Sequence, residues 1–152
     1  MQAWNAELAS EIGHEDQVPL DNPFLSLIGA RLLRWHEGYS EFHLPLHAKL
    51  LNRQGVIQGG VLSTLLDVAC GYAGLYRPRG QSPLHAHTVS LSINFVNKGR
   101  SGVLVTKGFL VQRGRNLFFA RGEAWCGDGN LMATAQGSFK LAGHLDGPEG
   151  FQ

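Results

Sequence analysis

Asp67 is the carboxylate whose position most demands a chemical reason. It sits in the stretch 59–76, where Val61, Leu62, Leu65, Leu66, Val68 and Ala69 leave almost no polar side and only Ser63, Thr64 and Asp67 interrupt. A helix apolar all round is normally buried. A carboxylate inside one is costly unless it is paired or has a task. Gln58-Gly59-Gly60 opens the same stretch. The first turn of a helix leaves backbone N–H groups without intrahelical partners, and the helix dipole adds positive potential there. Glycines let a ligand come close to that backbone, so the turn can bind an anion or polarise a carbonyl; equally, they can serve only to make a tight turn. Asp67 lies eight residues after Gly59, about 12 Å along a helix at 1.5 Å per residue. That is too far for both to act on one carbonyl within one chain. Two antiparallel copies of the helix could bring Asp67 of one chain to the N-terminus of the other, so the spacing predicts a site spanning a two-fold dimer. Alternatively, Asp67 is satisfied by Ser63 or Thr64 one turn earlier, or faces solvent.

Other chemistries find little support. His85 and His87 share a strand start and His43 and His47 flank Pro45, but neither pair brings a third ligand at a recognisable spacing, so no metal is expected. Nucleophilic-serine, phosphate-loop and dinucleotide patterns are absent. The two cysteines, Cys70 and Cys126, have no Cys-x-x-Cys spacing and read as reduced, buried thiols. Arg77, Arg79, Lys98, Arg100, Arg113 and Arg115 are scattered through turns, either as solvated residues or as a cluster for the phosphates of a nucleotide-bearing substrate.

A chain of 152 residues has room for one domain with a real core. Charged residues make up 16%, below the usual quarter, which suits a surface partly hidden in an oligomer. Net charge is +1 with no basic run, which argues against nucleic acid. Glu7 and Glu11 stand where a signal peptide would be basic and then apolar, and no stretch suits a membrane span. A soluble, cytoplasmic protein is the expectation.

These residues need a frame. Trp4, Leu8 and Ile12 predict a short helix over 3–12, followed by a polar connection to Pro23. Phe24, Leu25, Leu27 and Ile28 then bring the chain into the core, and 30–46 predicts two strands joined at Glu37-Gly38. Residues 47–58 read as a loop. The central helix runs over 59–76, closed by Pro78 and Gly80. In 86–96, Val89, Leu91, Ile93 and Phe95 alternate with Thr88, Ser90, Ser92 and Asn94, as in a half-buried strand. Strands over 102–112 and 116–126 flank the turn Arg113-Gly114-Arg115-Asn116, and a last strand covers 131–141 before a frayed tail over 142–152. One long helix followed by antiparallel strands is an α+β pattern in which the sheet must cover the helix.

Asn52, Gly55, Gln58-Gly59-Gly60 and Asp67, at these spacings, resemble the hotdog-fold acyl-CoA thioesterases, specifically the phenylacetate-pathway, PaaI-like branch. Thr88-Val-Ser-Leu-Ser-Ile-Asn-Phe and Arg113-Gly114-Arg115 extend the resemblance, which covers residues 24–141. It implies an antiparallel sheet wrapped around one long central helix, paired into homodimers and commonly homotetramers. It implies hydrolysis of a medium-chain or aromatic acyl-CoA, with no cofactor beyond the coenzyme A of the substrate. Gly59, helped by Gly60, would polarise the thioester carbonyl. Asp67 from the facing subunit would be general base or nucleophile. Asn52 would orient substrate or water, and Thr88 would hold the water near Asp67. Tyr72 and Phe95 are candidates for the acyl pocket, with Tyr76 beside them, and Arg113 and Arg115 for the coenzyme A phosphates. The departure is Gln58, where the family usually has His: Gln can donate and accept hydrogen bonds but cannot shuttle a proton near neutral pH. Two rivals follow, a non-catalytic acyl-CoA sensor and a hydratase on the same fold; Gln58 keeps the first open and argues against the second.

Overall fold

The structure is a computed structural model that describes residues 20–127 and 129–142. The expected helix over 3–12 and the tail beyond Ala142 lie outside the described residues. Six strands form one antiparallel sheet, β1 (Arg31–His36), β2 (Tyr39–Pro45), β3 (Ala86–Phe95), β4 (Val103–Arg113), β5 (Leu117–Cys126) and β6 (Asn130–Leu141), in the order β1-β2-β4-β5-β6-β3. Helix α1 (Pro23–Ile28) precedes them, and helix α2 (Gly59–Ala73) packs against all six strands. This is the α+β hotdog arrangement, a sheet wrapped around one long central helix.

The sheet reaches α2 through side chains that are small or missing. A Cβ at Gly108 would overlap the Ala69 carbonyl of the helix. Beside it, the buried Ser40 hydroxyl donates to that same carbonyl at 2.7 Å. Leu62, Leu65, Leu66 and Ala69 then fill the space between helix and strands with Phe42, Leu44 and Leu104. Near the C-terminal end of α2, Cys70 meets Phe118 and Phe139, whose rings stack 4.9 Å apart.

Three sequence expectations change. First, α2 ends at Ala73 rather than 76. A Cβ at Gly74 would overlap the buried Phe118 ring, and the Gly74 carbonyl is taken by the Arg113 guanidinium. The chain leaves the helix at Gly74, with the Phe118 ring packed where a side chain would be, before Pro78 is reached. Second, α1 buries only Leu25; Phe24 and Leu27 are exposed, because six residues turn only one side to the sheet. Third, the loop over 47–58 contains a 3-10 turn at Ala48–Leu50 and a bridge between Leu51 and Ile57.

The outer face of the sheet buries one carboxylate. Glu41 on β2 accepts from the Tyr39 hydroxyl at 2.5 Å, pairs with His43 Nε2 at 2.7 Å, and lies 3.6 Å from the Arg34 guanidinium. The His43 hydrogen bond, with help from Tyr39 and Arg34, outweighs burial and holds the Glu41 carboxyl down at about 2. Burial, with the Glu41 contact behind it, pushes the Tyr39 hydroxyl up.

Two predictions follow from this packing. Gly108→Ala forces the helix off the sheet and should cost about 3 kcal/mol in urea unfolding; a loss within error would show that the contact is not needed. Glu41 has a depressed pKa, so its stabilisation is present above its ordinary carboxylate value and is lost as pH falls toward about 2. Glu41→Gln should lower the unfolding temperature at neutral pH and flatten its acid dependence between pH 5 and 2; an acid limb as steep as the wild type's would contradict the assignment.

Candidate active site

The turn into α2 is built by its own loop. The Asn52 side-chain oxygen accepts from the N–H groups of Gln54 at 2.8 Å and Val56 at 3.4 Å. Gly55 sits between them at φ 70°, a left-handed conformation that favours glycine. The Ile57 N–H donates to Gly99 at 2.8 Å and the Gln58 N–H to Leu50 at 3.0 Å, which fastens the end of the loop. Gln58 is the exposed, extended N-cap of α2, and its side chain makes no capping hydrogen bond. Its carbonyl accepts from Val61 and Leu62. Among the described residues, no backbone carbonyl engages the N–H groups of Gly59 and Gly60. The Phe95 ring lies against Gly59, 3.5 Å from where a Cβ would be. Two free donors at a positive helix end, beside an aromatic ring, suit a polarised carbonyl carrying an apolar group.

Asp67 is half-buried, and the Thr88 hydroxyl donates to its Oδ1 at 2.7 Å. Neither residue one turn earlier satisfies it: Ser63 donates instead to the Gly59 carbonyl at 2.9 Å, and Thr64 makes no bond to Asp67. Strict alternation would place Thr88 beside Ser90 on the outer face of the sheet. A bulge prevents this. Ser90 pairs with Ser138, but Thr88 pairs with Phe139, leaving Val89 as the extra residue. The alternation reverses there, and Thr88 joins Leu91, Ile93 and Phe95 on the helix face. The expected division of β3 into two faces is thus corrected at Thr88 and Val89, and Val89 is exposed instead of buried. Exposure also marks Phe95 and Val96, because β3 is paired with β6 on one side only.

Nearby groups narrow the chemistry. Burial, helped by the neighbouring Asp67 charge, pushes the Cys70 thiol up to about 12, so it is no nucleophile near neutral pH. No group of three metal-ligating side chains exists among the described residues.

Other expected site residues are elsewhere. Tyr72 packs on Trp35 and Phe42 at ring distances of 5.1 and 5.2 Å, on the β1–β2 side of α2, and its carbonyl accepts from the Trp35 indole. Tyr76 lies beyond the end of α2, edge-on to Trp35. Arg113 was expected in a free turn. A bulge at Val111 turns it inward, where it donates to the Gly74 carbonyl and stands over the Phe118 ring. A cation at a helix C-terminus is stabilised by the dipole, which accounts for its place without any phosphate. Arg115 is exposed in the β4–β5 hairpin. A cavity of 510 Å³ lies at the C-terminal end of α2, lined by Ala73, Gly74, Leu84, Leu110, Arg113 and Leu141 among others, and neither Gly59 nor Asp67 borders it. Arg100, grouped above with the turn cations, instead donates to the carbonyls of Gln54 and Gly55. A cation two residues before Gly102 gives no sequence signal of that direction.

Comparison with known proteins agrees with this fold. Residues 54–133 match the model of the thioesterase superfamily, a stretch that holds the α2 turn, Asp67 and Thr88. The Pseudomonas aeruginosa protein named "Putative esterase PA0474" is 31% identical over 122 residues, covering 79% of this chain and 89% of that one. A thioesterase family protein from Silicibacter pomeroyi has a structure that superposes with a TM-score of 0.70 at 28% identity, covering 79% of this chain and 89% of that one. The E. coli PaaI protein from the phenylacetic acid degradation operon superposes with a TM-score of 0.72 at 20% identity, over 91% of each chain, which speaks for the fold. With its family model, its relatives and its fold in agreement, the chain belongs to the thioesterase superfamily, a family of thioester hydrolases.

Proposed function

We propose that this protein is an acyl-CoA thioesterase acting on medium-chain or aromatic acyl groups, with each active site shared between two subunits. The Thr88–Asp67 hydrogen bond carries the reading, because it presents a held carboxylate on a helix face that one chain leaves half-covered. Asp67 and the free N–H group of Gly59 stay about 12 Å apart along α2, so the partner's helix start supplies the second half of the site. Two features support the pairing. The open edge of β3 exposes Val89, Phe95 and Val96, and such an edge calls for a partner strand. Val61, Thr64, Val68 and Gly71 are only partly buried on the α2 surface around Asp67.

In this arrangement the thioester oxygen accepts from Gly59, with Gly60 beside it. Thr88 occupies Asp67 Oδ1 and leaves Oδ2 for the reaction. Asp67 either takes a proton from water as the water oxygen attacks the carbonyl carbon, or attacks that carbon itself to give an anhydride that water then opens. Either route forms a C–O bond, breaks the C–S bond and releases coenzyme A as the thiol. Asn52 shapes the loop with its oxygen and keeps its NH2 group for the substrate or water. Gln58 contributes position and hydrogen bonding, not proton transfer. Phe95 borders the acyl group; Tyr72 supports α2 from behind. A free Arg115 could still meet the coenzyme, whereas Arg113 is committed to Gly74.

The test is thiol release from a panel of aliphatic and aromatic acyl-CoAs. Asp67→Asn should lower kcat about 10³-fold and Thr88→Val about 10-fold, in proteins that fold and assemble like the wild type. Undiminished turnover in Asp67→Asn would remove the carboxylate from the chemistry. Binding of acyl-CoA without turnover by the wild type would make the protein a sensor.

A further inference from the structure

Arg100 has no part in the chemistry above, yet it is joined to the loop that precedes the carbonyl-binding turn. One guanidinium nitrogen, Nη1, donates to the Gln54 carbonyl at 3.1 Å and to the Gly55 carbonyl at 3.4 Å. Asn52 holds the N–H groups of this loop from inside. The Gly55 N–H donates to the Asn52 backbone carbonyl at 2.9 Å and the Val56 N–H to its side chain, so these two trans peptides turn the carbonyls of residues 54 and 55 away from Asn52, and Arg100 collects them. The fit is close: a Cβ at Gly55 would stand 3.5 Å from Arg100 Nη1. The neighbouring Gly99 carbonyl receives the Ile57 N–H, so the β3–β4 connection grips the loop at two successive residues. Gln58 and Gly59 follow with no further slack.

We propose that Arg100 is a positioning residue that fixes the loop over 52–58 and thereby aims the Gly59 and Gly60 N–H groups at the reacting carbonyl. Its relation to catalysis rests on the thioesterase reading; its effect on the loop does not. Charge-assisted bonds from a planar guanidinium to two carbonyls are directional, and oxyanion donors lose effectiveness steeply when displaced.

Arg100→Ala in the full chain separates the possibilities. Hydrogen exchange of the hydrogen-bonded backbone amides over 54–58 should speed up several-fold, while the amides of β4, β5 and β6 keep their protection. With an acyl-CoA that the wild type hydrolyses, kcat should fall roughly 10- to 100-fold with KM within about twofold, and added methylguanidinium should restore part of kcat. Unchanged exchange over 54–58 overturns the proposal. So does a raised KM at constant kcat, which would mean that Arg100 meets the charged carrier of the substrate. Loss of protection throughout the sheet would mean a purely structural role and overturn it too. A wild type without turnover on any thioester would defeat the thioesterase reading alone, since the exchange comparison still decides whether Arg100 holds the loop.

Discussion

The seating of α2 on the sheet depends on backbone meeting backbone at Gly108 and Ala69, with Ser40 satisfying the carbonyl that this contact buries. A buried carbonyl without a partner would be costly, and any side chain at residue 108 would hold the helix away. With one side of α2 pressed that closely, its apolar residues are consumed by β2, β4 and β5. The opposite side, carrying Asp67, is left facing β3 at the edge of the sheet. The carboxylate is thus the polar point of a surface that the chain does not itself cover, and Thr88 is the residue that reaches it.

Irregularities in the strands finish what the helix begins. A regular β3 would turn Thr88 to the outside with Ser90; one extra residue, Val89, turns it to the helix. A second extra residue, Val111, does the same for Arg113 and delivers a cation to the C-terminal end of α2. Each bulge re-aims a polar side chain toward one end or one side of the same helix. The N-terminal end is governed instead by the loop, whose hydrogen bonds run inward to Asn52 and outward to Arg100 and Gly99.

Much of this was legible in the residues. The apolar run after Gln58-Gly59-Gly60 announced the central helix, and the turn signal Arg113-Gly114-Arg115-Asn116 announced β4 and β5 on either side of it within a residue or so. The oddity of Asp67 in that helix pointed to the candidate site, where Thr88 meets it. The side-chain directions of Thr88 and Arg113 were not legible, because an alternation rule cannot reveal where one extra residue is inserted. The end of α2 was misplaced because Pro78 is a conspicuous stop, whereas the helix ends at Gly74, where the Phe118 ring fills the place of a side chain and Arg113 takes the carbonyl, both distant in sequence. Tyr72 is a pocket candidate only through the family resemblance; its partners Trp35 and Phe42 come from strands that the helix pattern does not mention.

The central claim is that an active site is shared by two chains, and subunit complementation tests it most directly. Asp67→Asn removes the carboxylate. Gly59→Pro removes an N–H donor at the first helical position, where proline is well tolerated, and the extended Gln58 before it is compatible with proline. Each variant alone should be nearly inactive toward acyl-CoA. After unfolding together and refolding as an equal mixture, half the dimers pair the two variants, and each of those has one intact site. Activity should therefore return to about one quarter of the wild type's. A mixture no more active than its components, in which mixed dimers are shown to form, would place Asp67 and Gly59 of one chain in the same site and contradict the account.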